Sequence, residues 1–311
     1  MSVARPGPTE RERYRGVLLG LACGDALGAP ADYLSPEQIA GRWGVLAEMV
    51  GGGCHDVAAG ETLDATDMTL CLAESLSERG VFDPEDLVRR YLEWFSSCPK
   101  DVSLTVRTAL LSVRSGMSLD LASRRAHEIL GSPSAGNGSL SRCSPIALRY
   151  RHDRETIRDV SIRESGLTDF DRLAGWVCAA YNELIDAALD GRLRGRVLGI
   201  ASEYGDEDAR VSAVINEAVI AEPEEIHSSA NALDTLRAAI WCTVHARSFE
   251  EAVVTAVNLG NDADTTGAVT GALAGAHFGE RAIPPRWLEV MPIRSRAATL
   301  ADRLADLAGV A

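Results

Sequence analysis

The sequence is poor in aromatic residues. Phe, Trp and Tyr make up 5% of its 311 residues, whereas apolar residues as a whole make up 46%. So few aromatics argue against an aromatic-rich β-sandwich, and the abundance of Ala and Leu favours closely packed helices. The length suffices for one domain with a large core or for two small domains.

Basic residues are also scarce relative to acidic ones. Lys and Arg number 31 against 45 Asp and Glu, which gives a formal net charge of −14. This excess of negative charge argues against binding nucleic acid through a basic surface and against attraction to anionic membranes. An acidic protein that handles an anionic nucleotide must supply local donors to offset the repulsion.

Long apolar runs and cysteine pairs are missing too. No apolar run reaches the roughly 20 residues of a membrane span, and the N-terminal MSVARPGPTERERYRG lacks the apolar stretch of a signal peptide. The seven cysteines include no CxxC pair and are odd in number, as is typical of reduced thiols. We therefore expect a cytoplasmic protein that contacts no membrane.

Helical periodicity dominates the chain. Thr9 and Glu12 form a capping-box pattern that opens a helix, along which glycine recurs every four residues from Gly16 to Gly28. Because residues four apart share a helical face, these glycines predict a close approach of another backbone. Further helices are predicted in DATDMTLCLAESLSERG, PEDLVRRYLEWFSS, TVRTALLSVRSG, LDLASRRAHEILG, FDRLAGWVCAAYNELIDAALDG, 206–222, ALDTLRAAIWCTVHARS, SFEEAVVTAVNLG, GAVTGALAGAHFG and RSRAATLADRLADLA.

No segment alternates convincingly with the period of two that strands require. Two stretches, GGGCHDVAAGE (51–61) and GSPSAGNGSLSRCSP (131–145), are predicted to be loops because glycine, serine and proline are concentrated there. We predict one all-α domain over residues 9–309, preceded by a short tail of residues 1–8.

Acidic residues are concentrated at two predicted helix starts. In NLGNDADTTG (258–267), Asp262, Asp264 and Thr265 precede an apolar run. One interpretation is helix capping, and the other is a site for a hard cation such as Mg²⁺ or Mn²⁺, which prefers several oxygen ligands. Spacing alone leaves both open. Asp64 and Asp67, at positions i and i+3 of another helix, would need a cation to meet the first group without repulsion.

Three quoted segments resemble the ADP-ribosylglycohydrolase family, the group of the dinitrogenase-reductase-activating glycohydrolase. They are GVLLGLACGDALGAPADY, GNGSLSRCSPIAL and the long C-terminal block LRAAIWCTVHARSFEEAVVTAVNLGNDADTTGAVTGALAGAHFG with IPPRWLEVM after it. The resemblance implies an all-α orthogonal bundle with two Mg²⁺ or Mn²⁺ ions in a central cleft. It also implies hydrolysis of the glycosidic bond at the ribose C1 of an ADP-ribosyl group, and metal ligation by Asp262, Asp264 and Thr265.

The chain departs from the family at its other metal motif, Thr-Asp-Asp-Thr. One alignment places that motif on residues 66–69; we prefer the one on residues 63–66, which needs no gap from the upstream Gly60-Glu61. There Leu63 and Ala65 replace the first Thr and the second Asp, and neither side chain can bind a hard cation. Asp64 remains as a metal ligand, and Asp67, one turn on, is expected to compensate in part.

Two further departures lie elsewhere in the chain. Asp32 stands where the family usually has Glu, and Asp169 follows Thr168 where the family often has His. Asp32, Asp64 and Asp67 are our candidates for catalysis. For substrate binding, the resemblance to the Asn-Gly loop, which contacts ADP-ribose in the family, implies Gly136, Asn137, Gly138 and Ser139 with Arg142, and His55 lies in a glycine-rich loop that resembles the substrate-facing one.

Two functions follow from this pattern, with helix capping as a third interpretation in which the cleft has no function. The first is a metal-dependent hydrolase acting on an ADP-ribosylated protein or on a small ADP-ribosyl or NAD-derived N-glycoside. The second is an ADP-ribose-binding or regulatory homologue whose metal centre lacks ligands. The oligomeric state is not readable from the sequence.

Overall fold

A computed structural model describes residues 7–131 and 135–310. Within these residues the chain forms α-helices joined by turns and three short 3₁₀ segments, and it contains no strand beyond two isolated bridges. The helices are α1 (Glu10–Gly28), α2 (Pro36–Trp43), α3 (Asp64–Arg79), α4 (Pro84–Ser96), α5 (Leu104–Arg114), α6 (Leu119–Leu130), α7 (Pro145–Arg149), α8 (Arg154–Ser165), α9 (Arg172–Leu189), α10 (Leu193–Glu203), α11 (Ala209–Ile220), α12 (Ala232–His245), α13 (Phe249–Val257), α14 (Ala263–Phe278), α15 (Pro285–Val290) and α16 (Arg294–Leu307).

The all-α prediction is confirmed, and most helix starts follow the local sequence. Thr9 caps α1 with both bonds of the capping box, and Gly80 ends α3 in the left-handed conformation. Sequence periodicity missed α2, α7, α8, α10 and α15. Helices α2, α7 and α15 have only 8, 5 and 6 residues, which is too short for a periodic pattern to stand out. Helix α8 (RETIRDVSIRES) is rich in charged residues, and α10 (LRGRVLGIASE) carries two glycines, both of which weaken a helical signal.

Helices α1 and α14 pack antiparallel, with their backbones in contact. A side chain added at Gly16, Gly20 or Gly24 would overlap the carbonyl oxygen of the glycine opposite, which is Gly275, Gly271 or Gly267 respectively. The predicted close approach is therefore confirmed, and its partner is a second glycine stripe of the same spacing. The antiparallel contact brings the end of α1 to the beginning of α14.

Buried side chains from α1 to α16 form one contiguous hydrophobic cluster. The largest fully buried side chains include Trp287, Tyr14, Tyr91, Tyr181 and Arg142. No single helix in the described ranges is long and apolar enough to cross a membrane; only a bent pair, Glu10–Ala31 followed by Pro36–Trp43, passes by length and composition.

Gly24→Ala tests the importance of the α1–α14 contact. Its methyl group would overlap the backbone of Gly267, so the two helices must separate, and we expect a loss of at least about 2 kcal/mol in the free energy of unfolding. Gly195→Ala in α10 is the matched control, because nothing lies within 4 Å of the added carbon. That variant should gain up to about 1 kcal/mol from better helix propensity. Equal effects in urea unfolding would contradict the close-contact argument.

Candidate metal centre and active-site cleft

Two loops meet where α1 ends and α14 begins. The Tyr33 amide donates to the carbonyl oxygen of Asn261 at 2.6 Å, and the Asn261 amide donates to that of Leu34 at 2.6 Å. Tyr33 and Asn261 both have positive φ angles, 62° and 56°, which turn the two loops toward each other. This pairing places Asp32 beside Asp262.

The start of α14 is not capped by its acidic side chains. Asp262 occupies the N-cap position, yet its side chain accepts no bond from the helix. Asp264 is 2% exposed, and its Oδ1 has no hydrogen-bond partner. Because an unpaired buried carboxylate oxygen is costly, the capping interpretation leaves this arrangement unexplained.

Three carboxylates converge at this point. Oxygens of Asp32, Asp262 and Asp264 lie within 4.8 Å of one another. Thr265, half-buried, lines the same cleft. Compact oxygen ligands of this kind suit a hard divalent cation, and a cation would satisfy the orphaned Asp264 oxygen. The residues present therefore fit a divalent metal ion.

The mouth of α3 is capped from another helix. Leu63 holds the N-cap position and has no capping side chain. Instead, the buried Asp25 of α1 accepts bonds from the backbone amides of Leu63 and Thr66 and from the Thr66 hydroxyl. This cross-helix cap frees Asp64, the first residue of α3, to line the cleft.

Leu63 and Ala65 are buried in apolar packing and offer no oxygen ligand. Leu63 is 2% exposed and packs in a small apolar cluster with Ala29 and Val57, and Ala65 belongs to the main core. The two substitutions therefore leave packing contacts and no oxygen ligands at these positions. Asp64 and Thr66 remain, but the Thr66 hydroxyl is engaged by Asp25.

Asp67 lies away from the cleft, in contrast to the role we gave it. Its Oδ2 accepts a hydrogen bond of 2.9 Å from the Trp94 indole, and it is absent from the cleft lining. Residues three apart lie only about 60° apart around a helix, so spacing alone places Asp67 near Asp64; the hydrogen bond to Trp94 of α4 holds its carboxylate outside the cleft. We therefore leave Asp67 out of the metal-ligand and catalytic sets proposed below.

The convergent residues line a cavity of about 690 Å³. From our candidates it includes Asp32, Asp64, Asn137, Gly138, Asp262, Asp264 and Thr265, and it adds Tyr33, Asp101, Val102, Ser103, Leu104, Ser141, Ser228, Ser229, Ala230 and Asn261. Asp101 is the important residue that sequence reasoning missed. It lies in the turn between α4 and α5, where no motif marks it; its only signal is its place just before Ser103, the N-cap of α5.

The loop from Gly136 to Ser139 forms part of the cavity wall, but its members differ in position. Asn137 directs its side-chain amide at the metal centre, donating to Asp262 Oδ2 at 2.6 Å and to Thr235 Oγ1 at 2.9 Å. Gly138 lines the cavity, whereas Gly136 pairs with Asn231 in an isolated bridge. Asn137 is thus placed to orient a metal ligand.

Ser139, at the end of this loop, and Arg142, just after it, are buried and do not line the cavity. The Arg142 guanidinium is fully buried, donates to Glu164 at 2.6 Å and to the Thr168 hydroxyl at 2.9 Å, and so belongs to the core. Ser139 is also buried, and its Oγ accepts a bond from Ser165. The Arg142 guanidinium and the Ser139 hydroxyl are therefore not available to bind phosphates, because both are buried and already hydrogen-bonded.

Two remaining candidates sit next to the site. His55 Nε2 lies 2.9 Å from Asp32 Oδ2, so His55 contacts a metal-ligand candidate without lining the cavity. Asp169, which replaces the family's His, is buried behind the loop and accepts a hydrogen bond from the Thr168 hydroxyl.

The crowded carboxylates raise one another's pKa values. Burial raises the pKa of Asp25 to about 7 and that of Asp32 to about 6. Burial, together with neighbouring aspartates, raises the pKa of Asp64 and of Asp264 well above the usual range. Burial also raises the pKa of Asp101. In the absence of a cation, the site therefore retains protons at a pH where exposed aspartates have lost theirs.

The helical bundle presents a cleft lined by several carboxylates, the groups that most glycoside hydrolases use for catalysis. The family profile described as ADP-ribosylglycohydrolase matches residues 6–311. The chain belongs to the ADP-ribosylglycohydrolase family.

Individual relatives match nearly the whole chain. The ADP-ribosyl-[dinitrogen reductase] glycohydrolase of Rhodospirillum rubrum is 30% identical over 98% of this chain and 99% of its own. The ADP-ribosylarginine hydrolase Tri1 of Pseudomonas putida is 31% identical over 96% of this chain and 79% of its own. A solved structure of an ADP-ribosylglycohydrolase-related protein complex has 34% identity and a TM-score of 0.78, covering 96% of this chain and 98% of its own.

Asn137→Ala tests the orienting role of the loop. Removing the amide leaves Asp262 without its donor, so we expect Mn²⁺ affinity to fall by roughly 10-fold or more in calorimetric titration. Asn216→Ala is the control, because that exposed side chain bonds only to its own helix. Unchanged Mn²⁺ affinity in Asn137→Ala would show that Asp262 needs no support from the loop.

A second prediction concerns pH. Because the folded pKa values of Asp25 and Asp32 lie above those of an unfolded chain, folding takes up protons, and metal-free stability should fall as pH rises from about 4 to about 7. A divalent cation at the triad of Asp32, Asp262 and Asp264 replaces the proton on Asp32, so the increase in melting temperature caused by Mn²⁺ should grow over the same interval. The Asp262→Asn/Asp264→Asn variant should lack this increase; a Mn²⁺ effect independent of pH would refute the argument.

Proposed function

We propose that this protein hydrolyses the glycosidic bond at the ribose C1 of an ADP-ribosyl group, with a divalent cation, Mg²⁺ or Mn²⁺, in its cleft. The substrate is an ADP-ribosylated protein or a small ADP-ribosyl or NAD-derived N-glycoside. The observation that carries the proposal is the convergence of Asp32, Asp262 and the orphaned Asp264 oxygen in a cavity of about 690 Å³. The named activities of the relatives support the reaction class.

Asp32, Asp262 and Asp264 would hold the cation, with Thr265 beside them. When bound, the cation supplies Lewis-acid chemistry and orients vicinal hydroxyls such as those of a ribose. Asn137 fixes Asp262 through its 2.6 Å bond. Because Leu63 and Ala65 replace two oxygen ligands of the family's other metal motif, the Asp32, Asp262 and Asp264 triad is the better of the two metal positions. We therefore propose one hard ion here.

Asp64 and Asp101 are the carboxylates left over for proton transfer. Both line the cleft, and both have raised pKa values, because burial and nearby carboxylates disfavour their charged forms. A carboxylate with a raised pKa is a better base for a water molecule that attacks C1. Water supplies the new C1–OH bond and its proton passes through the carboxylate, while the C1–N or C1–O bond breaks and the leaving group gains a proton.

Carboxylates also stabilise the positive charge that develops on the sugar ring in an oxocarbenium-like transition state. The same charge repels the phosphates of an ADP-ribosyl group, and the cavity lining contains no Lys or Arg among the described residues. We propose that the diphosphate is held by neutral backbone donors of the cavity wall such as the Gly138 amide, because the Ser141 and Ser229 hydroxyls already donate to the Gly138 carbonyl oxygen and to Asp234.

A second candidate function is supported by Leu63 and Ala65. These residues remove two oxygen ligands from the family's other metal motif, so an ADP-ribose-binding homologue without turnover is the alternative. The two functions share the cleft and differ in whether the glycosidic bond breaks.

The decisive test supplies purified protein and Mn²⁺ with an ADP-ribosylarginine protein, a free ADP-ribosyl conjugate and an NAD-derived nucleotide, and measures release of the ribosyl product. We expect turnover of at least one substrate and a loss of roughly 100-fold or more in Asp264→Asn, because the ion loses a buried ligand. Asp206→Asn, at an exposed position, is the matched control.

The outcomes separate the two functions. ADP-ribose binding by calorimetry without turnover of any substrate would favour the binding homologue. If the protein shows neither ADP-ribose binding nor turnover, both proposed functions are overturned.

We also propose that the protein is located in the cytoplasm. All seven cysteines are free thiols, five of them buried, which supports a reducing compartment such as the cytoplasm. The net charge of −14 supports a function without nucleic acid or membrane partners. We assign the activity to one domain over residues 9–309.

A further inference from the structure

A glycine-rich loop, residues 51–57, lies against the outer side of Asp32. Gly52 and Val57 close it through a pair of backbone hydrogen bonds, 2.6 and 3.1 Å long. Gly53 has a φ of 73°, and an added side chain there would approach the backbone of Pro30, so the loop is held tightly against the end of α1. Lys100 ties the far side of the loop by donating to the Asp56 carbonyl oxygen. The loop is therefore a built structure and holds Cys54 and His55 in place.

Three potential ligands of different chemistry converge where this loop meets Asp32. A sulfur of Cys54, a ring nitrogen of His55 and a carboxylate oxygen of Asp32 lie within 4.8 Å of one another. His55 Nε2 is 2.9 Å from Asp32 Oδ2, and the side chains of His55 and Asp32 are 10% and 5% exposed. The Asp32 carboxylate is fixed on its other side, where Oδ1 accepts the Tyr33 amide at 3.0 Å.

This ligand set differs from the all-oxygen triad in the cation that it favours. Thiolate and imidazole select borderline-soft ions such as Zn²⁺, which takes three protein ligands and a water in open tetrahedral sites. Mg²⁺ and Mn²⁺ prefer oxygen. Cys54 is exposed, so its side chain has room to turn toward the other two ligands, and the excess of nearby carboxylates offsets the charge of a cation.

We propose that Cys54, His55 and Asp32 form a second cation site for Zn²⁺ or a similar borderline ion. Asp32 is shared with the hard-ion triad of Asp262 and Asp264, so it bridges two sites of different ligand chemistry. The proposal goes beyond the hydrolase function, because it assigns a role to Cys54 and His55, which lie outside the cleft lining. It also gives the chain a second ion at a position other than the motif that Leu63 and Ala65 disable.

The test uses Co²⁺ as a spectroscopic substitute for Zn²⁺ on the full-length, metal-stripped protein. A Co²⁺–thiolate bond produces an intense near-ultraviolet charge-transfer band that oxygen ligands cannot give. We expect that band at one equivalent per chain, its loss in Cys54→Ser, and its displacement by Zn²⁺. His55→Ala should weaken Co²⁺ affinity by roughly 10-fold or more. Cys98→Ser, which changes the other exposed cysteine, is the matched control and should keep the band.

A second measurement needs no variant. Zn²⁺ should slow alkylation of Cys54 in the native protein, followed by mass spectrometry, and leave the alkylation of exposed Cys98 unchanged. Absence of the Co²⁺ band, a band that survives in Cys54→Ser, or equal alkylation of Cys54 with and without Zn²⁺ would each overturn the site.

A variant of the hard-ion triad tests the hydrolase proposal independently of the Zn²⁺ site. Asp262→Asn/Asp264→Asn should lose Mn²⁺ binding and turnover but keep the Co²⁺–thiolate band, since Cys54 and His55 are intact. Loss of the band in that variant, with its fold retained by circular dichroism, would mean that Cys54 reaches the cation only as an added ligand of the hard-ion triad, and would overturn a separate site.

Discussion

Helices α1 and α14 touch through their backbones, and the rest of the site depends on this contact. Gly16, Gly20 and Gly24 of α1 face glycines of α14, and no larger residue fits between the two helices. The antiparallel packing brings the loop of Asp32 to the loop of Asp262, where two short backbone hydrogen bonds hold them together. A small shift between the helices would therefore separate the carboxylates that we assign to the metal.

Negative charge is concentrated where the protein buries it. Asp25, Asp32, Asp64, Asp101 and Asp264 all have raised pKa values, because each loses hydration and most lie close to another carboxylate. Without a cation the folded state retains protons there, which costs stability near neutral pH. Asp25 has a separate structural duty, since it supplies the cap that α3 lacks and thereby leaves Asp64 facing the cleft.

The family assignment fixes the fold and the class of reaction but not the metal chemistry of this chain. Leu63 and Ala65, the positions that our preferred alignment matches to oxygen ligands of the family motif, lie in apolar packing, while carboxylate oxygens of Asp262 and Asp264 lie close to one of Asp32. Cys54 and His55 add nitrogen and sulfur next to Asp32, a combination that the quoted family motifs do not include.

The sequence by itself determined the helical class, the capping of α1, the glycine stripe and the acidic start of α14, because these depend on residues within a turn or two of one another. It also gave the family resemblance that the comparison confirmed. Tertiary structure decided which acids face the cleft. Asp67 turns to Trp94, Arg142 pairs with Glu164 in the core, and Asp101 enters from a turn with no motif. Helical spacing says which side chains share a face, but only the packing of other helices decides which face meets the cavity.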